Sequence, residues 1–208
     1  MASLFLFPFL IAGLAAIITR QAQNWVEREP LHLLYGPGFL IGTMVAMAAY
    51  VTVYYRALKY RRKVWVHAGY MLSTPLILFE SPFSRAAGFV FPPFHVSSPA
   101  DFPHVMSSIE WSCAIELAII AIIWWRVRER ARPFLLTAGF IVVEMLAMGQ
   151  ASNFALLKRF DTFLGHVPSV TVVLTGMAIG AATSWLGWNA GKRSAVARSG
   201  AKPAPSAA

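Results

Sequence analysis

The chain has 208 residues, 57% of them apolar, a mean hydropathy of +0.58, and 18 Lys and Arg against 9 Asp and Glu, for a net charge of +9. That apolar share exceeds the roughly 45–50% usual in a soluble domain, which excludes an ordinary water-soluble enzyme. The cations border apolar runs, where membrane topology explains them, so nucleic acid is excluded as the partner. A lone cysteine, Cys113, excludes an internal disulfide or a multi-cysteine metal knuckle.

The expected fold is all-α, a single polytopic bundle over 1–190 with six transmembrane helices at 3–19, 36–55, 64–80, 106–125, 133–151 and 168–188. Each run is near the roughly 20 residues that a crossing helix needs. The first, 3–19, opens without a basic segment and precedes no clean cleavage site, so it is expected to be retained as a helix. Between the second and third runs lie Arg56, Lys59, Arg61, Arg62 and Lys63, and between the fourth and fifth lie Arg126, Arg128, Arg130 and Arg132. Lys192, Arg193, Arg198 and Lys202 follow the last. Retention of positive charge on the inner side makes these the cytoplasmic segments, with both termini cytoplasmic and the chain in the inner membrane.

The other connections hold Arg20, Arg28, Arg85, Lys158 and Arg159, together with His32, His95, His104 and His166. The longest, Ser81 to Val105, mixes Pro82, Pro92, Pro93, Pro99 and Pro103 with five phenylalanines, Phe83 to Phe102. Those prolines predict a non-helical segment, and its aromatic rings predict that it lies on the membrane surface or folds back over the bundle. From Gly191 the composition predicts a disordered basic tail, 191–208.

Small residues recur four apart at Gly38, Gly42 and Ala46 and at Gly176, Gly180 and Ser184, a spacing that lets helices approach closely in lipid, within the bundle or between two copies. Trp65, Trp111, Trp124, Trp125, Trp185 and Trp188 lie near span ends, as interfacial anchors do. Pro75, inside the third run, predicts a kink there.

Glu116 and Glu144 share a depth of roughly 15–17 Å on neighbouring antiparallel runs. A charged carboxylate there costs at least about 2.5 kcal/mol, so such groups face the interior, stay protonated, or mark an ion or proton path. Ser108, Ser112 and Glu116 follow at four-residue steps, and Thr137, Glu144 and Met148 form a similar stripe. Glu110, higher on the fourth run and about a third of a turn around it, completes the candidate path of Glu110, Ser112, Glu116 and Glu144. The plainer alternative is a neutral acid donating a hydrogen bond to the next helix. On the outer side, His95, Asp101, His104 and His166, with His32 and Glu80 nearby, are candidate zinc or copper ligands, or interfacial hydrogen-bonding groups.

The stretch Lys59-Tyr60-Arg61-Arg62-Lys63-Val64-Trp65-Val66-His67-Ala68-Gly69-Tyr70-Met71 is a basic loop leading into His-x-x-x-Met at a helix start. It resembles a pattern in small bacterial multi-pass membrane proteins, one branch of which is tied to haem-copper oxidase assembly. Pro30-Leu31-His32 ahead of Gly36-Pro37-Gly38 is a second point of likeness. The resemblance implies a haem, quinone or oxidase-linked role, with His67 as the cofactor-binding residue to carry over.

No phosphate-cradling glycine loop, G-x-S-x-G or H-E-x-x-H is present, which argues against the common soluble enzyme chemistries. The first expectation is a non-catalytic accessory or assembly factor of an electron-transfer complex, with the bilayer and a larger membrane complex as partners. The second is a proton-linked transporter or channel. The third is a small haem- or metal-dependent membrane redox enzyme.

Overall fold

A computed structural model describes residues 2–199. It is all-helical, with eight α-helices and four short 3-10 turns among the described residues; the α-helices are α1 (Ala2–Val26), α2 (Pro30–Lys59), α3 (Val64–Ile77), α4 (Glu80–Val90), α5 (Phe102–Val127), α6 (Arg132–Gln150), α7 (Ala155–Gly165) and α8 (Ser169–Ser199). Prolines open several of them, because a proline in the first turn lacks only an N–H that would be unpaired anyway. α2 starts at Pro30, with the Glu29 carboxylate accepting the His32 N–H at 3.0 Å, and α5 and α6 carry Pro103 and Pro133 in their first turns. α1 ends where Arg28 takes a left-handed φ of 58°, and the Glu29 N–H reaches back to the Asn24 carbonyl at 2.9 Å. That bond closes the helix end in Schellman fashion.

α2 is the central post. It packs against α1, α3, α6 and α8, while α1 and α8 form the most extensive pair and α4 leans on α5. Small residues make these approaches possible. A Cβ on Gly180 would lie 2.6 Å from the Pro8 Cα, and one on Gly176 would lie 2.6 Å from the Ala15 Cβ. Gly38 meets the Met148 backbone of α6, and Gly42 meets its side chain. Both glycine stripes are therefore spent inside the bundle. Beneath them, Phe7 lies flat on Tyr54 with ring centroids 3.8 Å apart.

Many large apolar side chains point outward, Phe5, Phe9, Leu72, Leu146, Trp125 and Trp185 among them. Four stretches are long and apolar enough to cross a membrane: Leu4–Val26, Pro30–Lys59, Pro99–Asn153 and Ser169–Lys192. The third holds both α5 and α6, joined at Arg128 with φ 47°. α3 has 14 residues, about 21 Å at 1.5 Å rise, and falls short of the roughly 30 Å hydrocarbon thickness on its own.

Three segments differ from expectation. Glu80–Val90 is helical as α4, although the prolines of this loop predict no helix; Pro82 falls in the first turn, where it costs no bond, and the next proline is Pro92. The connection after α6 contains α7, whose Leu156, Leu157, Phe160, Phe163 and Leu164 recur at helical spacing. α8 runs through Gly191 to Ser199, and the rest of the tail, 200–208, lies outside the described residues.

Candidate functional site

α3 and α4 are nearly one helix, interrupted at Leu78 and Phe79. Pro75 removes the amide that would bond the Met71 carbonyl, and the Thr74 hydroxyl donates to that carbonyl instead, at 2.7 Å. A side-chain hydroxyl thus satisfies the carbonyl that the proline frees. Pro82 likewise cannot donate to Leu78, and the chain turns there before α4 begins. The break therefore presents the free N-terminus of α4, led by Glu80, to the bundle interior.

Glu116 of α5 meets it. Its side chain is 1% exposed, its carboxyl faces the Glu80 backbone N–H, and its Oε1 has no hydrogen-bond partner. Glu144 of α6 is 7% exposed, and the three carboxyl groups of Glu80, Glu116 and Glu144 lie within direct electrostatic reach of one another. Ser84 donates to Glu80 at 3.2 Å, and the Ser112 hydroxyl, fully buried one turn from Glu116, donates to the Ser108 carbonyl at 2.7 Å. Thr137 Oγ1, buried on the same face of α6, has no partner either. Three carboxyl groups this close in an apolar interior repel one another when charged, which makes the cluster a place where an ion or proton could be held. The structure brings Glu116 and Glu144, expected at a shared depth, within electrostatic reach and adds Glu80, but it leaves Glu110 on an exposed face of α5, outside the cluster.

Beside the cluster lies a cavity of about 660 Å³. Glu80 and Glu144 line it, so the acids border open space. Its other polar walls are Arg20, Gln21 and Asn24 of α1, His32 and Thr43 of α2, and Ser81, Ser84 and Arg85 of α4. Gln21 and Thr43 hydrogen-bond to each other across α1 and α2 at 3.1 Å. Arg85 folds back to donate to the Ser81 carbonyl at 2.8 Å. The volume falls within the roughly 300–1,000 Å³ range of small-molecule sites.

The histidines do not converge. His95 Nδ1 pairs with the Gly88 carbonyl at 3.1 Å, His104 Nδ1 with the His95 carbonyl at 3.0 Å, and His166 Nδ1 with the Thr162 carbonyl at 2.7 Å. Asp101 accepts the Ser97 and Ser98 amides at 3.0 and 2.9 Å, capping the turn before α5. Among the described residues no three His, Cys, Asp or Glu side chains are grouped to hold a metal ion, so these four do not fit one. His32 is bound at Nδ1 to Glu29, 2.5 Å away, and reaches Asn24 with Nε2 at 3.5 Å. Burial of Glu29 opposes ionisation, but its hydrogen bonds to His32 outweigh that and hold its carboxyl below the usual range.

His67 Nδ1 pairs with the Ala57 carbonyl at 2.8 Å, which ties α3 to α2 across the basic turn. A carbonyl only accepts, so Nδ1 carries the proton. Met71 stands one turn further along the same helix and cannot take the opposite side of a haem iron; the pair does not fit a haem with two axial ligands. At the same end, Arg61 donates to the Trp188 carbonyl at 2.8 Å and lies 4.1 Å from the Trp188 ring centroid.

α7 brings a residue that the sequence reading passed over. Asp161 is completely buried, with neither carboxyl oxygen hydrogen-bonded, and a Cβ on Gly36 of α2 would lie 3.5 Å from its Oδ2. Burial alone pushes its carboxyl up to about 7.

No protein-family model matches this chain, and no curated protein or solved structure is detectably similar to it.

Proposed function

We propose that the chain is a multi-pass protein of the cytoplasmic membrane that binds a small ligand in the cavity and moves protons through the Glu80, Glu116 and Glu144 cluster. In this reading α1, α2, α5, α6 and α8 cross the bilayer and α3 with α4 forms a sixth, broken crossing. The arginine-rich turns and both termini lie in the cytoplasm by the positive-inside rule. The cavity then opens toward the outer face, because its walls come from the ends of α1 and α6 and the starts of α2 and α5.

One observation carries the reading: Glu80 and Glu144 stand at the wall of a polar-edged cavity, and Glu116, buried within electrostatic reach of both, has a carboxyl oxygen without a partner. An interrupted helix whose free end faces an acid at membrane depth is a device suited to binding and release of ions. A purely structural acid would have its bonds satisfied by the neighbouring helix. The electron-transfer accessory role has no comparable observation behind it.

Proteoliposomes carrying an internal pH indicator test the proposal. The wild type should dissipate an imposed proton gradient, and Glu116→Gln and Glu144→Gln should each slow that flux by at least roughly ten-fold, in line with loss of an essential proton carrier. Equal flux in wild-type, variant and empty vesicles would refute it.

A further inference from the structure

Building on that reading of the cavity as the ligand site, we propose that its ligand is a membrane-borne amphiphile with an anionic headgroup, a long-chain carboxylate or phosphate ester. The headgroup sits at Arg20 and Arg85, and the chain runs inward toward Ala46 and Ile77.

Shape comes first. Along α2 the cavity wall extends from Leu31 to Ala46, about 22 Å at 1.5 Å per residue, far longer than an ion or a two-carbon acid requires. Its polarity is graded along that length. Arg20, Asn24 and His32 stand at the α1–α2 loop end, whereas Leu14, Ala46 and Ile77 line the deep end. An outer-leaflet lipid has the same gradient, headgroup outward and chain toward the midplane.

Access agrees with shape. α1 packs on α2, α7 and α8, and α4 packs on α5, but α1 has no comparable packing with α4 or α5, although all three line the cavity. The space between them is the cavity itself, and Ile17 of α1 is 42% exposed at its edge. A ligand can enter sideways from the acyl chains.

Charge selects the headgroup. Among the described residues the ion pairs within 4 Å are His32 with Glu29 and Arg132 with Glu129, so neither Arg20 nor Arg85 is in one. Guanidinium groups match carboxylate and phosphate oxygens in paired hydrogen bonds. Arg20 and Arg85 are the guanidinium groups that line the cavity, so an anionic headgroup gains more there than beside the carboxyl groups of Glu80 and Glu144.

A photoactivatable long-chain fatty acid, added to the purified protein in nanodiscs and mapped by mass spectrometry, tests this directly. It should label cavity-lining residues of α1, α2 and α4, and oleate should displace it. Butyrate and dodecyltrimethylammonium at the same concentration should not. The double variant Arg20→Gln, Arg85→Gln should bind at least roughly ten-fold more weakly, as expected for losing charge-assisted hydrogen bonds. Competition by butyrate equal to that by oleate would mean a soluble anion site and overturn the proposal. So would equal competition by the cationic amphiphile, or labelling confined to other surfaces; these arms need no variant to fold. Proton flux that persists while oleate fails to compete sinks this ligand and spares the proton path, whereas oleate binding without flux does the reverse.

Discussion

Asp161 is a buried acid without a hydrogen-bond donor, and its carboxyl, at about 7 in the fold against 3.8 for the free side chain, makes the α7 docking sensitive to pH. The folded state keeps its proton where the unfolded chain releases it, so this contribution is complete below the ordinary aspartate range and drains away as pH rises through about 7. Thermal unfolding in detergent should show a midpoint that falls between about pH 5 and pH 8, and Asp161→Asn should flatten that slope. An unchanged slope in the variant would assign the pH dependence elsewhere. The sequence made some of these residues legible and hid others. Glu116 and Glu144 stand in apolar runs at matched depth, but Glu110, expected on the same path, faces outward, and its third of a turn from Glu116 is the signal against it. Glu80 ends the expected third span, where the sequence sets it with the outer histidines; only the break at Leu78 and Phe79 brings its amide to Glu116 instead. Asp161 was hidden because it stands in a polar connection between spans; the apolar spacing from Leu156 to Leu164 is the signal that marks a helix there.

At the scale of the helix, the strongest demand falls on the α1–α8 pair. Gly180→Ala would place a Cβ 2.6 Å from the Pro8 Cα, which is backbone and cannot rotate away, so the two helices must separate. We expect a loss of about 1–3 kcal/mol, the usual cost of overpacking, read as a lowered unfolding midpoint. Gly139→Ala on α6, with nothing within 4 Å of the added atom, should be neutral or gain up to about 1 kcal/mol from helix propensity. Equal effects at the two sites would contradict the packing described. The long helices were legible because apolar length alone marks them. α4 was not, since proline content argued against a helix while proline position permitted one. The α3–α4 interruption was half legible: Pro75 announced a kink, but Thr74 heals that bond and the chain instead turns at Leu78 and Phe79.

Across the whole molecule, charge and cavity point in opposite directions. Arg61 and Arg128 lie at the turns α2–α3 and α5–α6, and the cavity opens at the other end, between the α1–α2 loop and α4. If hydrocarbon surrounds the bundle, a reagent in the outer medium reaches the acids' cavity without reaching those turns. A Cys113→Ala background, which removes the one buried thiol, allows single cysteines to report this with a membrane-impermeant maleimide on intact cells. Ser84→Cys, beside Glu80, should react from outside, while Arg61→Cys and Arg128→Cys should react only after the membrane is opened. Labelling of the arginine positions from outside, with Ser84→Cys protected until lysis, would contradict an outward-facing cavity that leads to Glu80, Glu116 and Glu144.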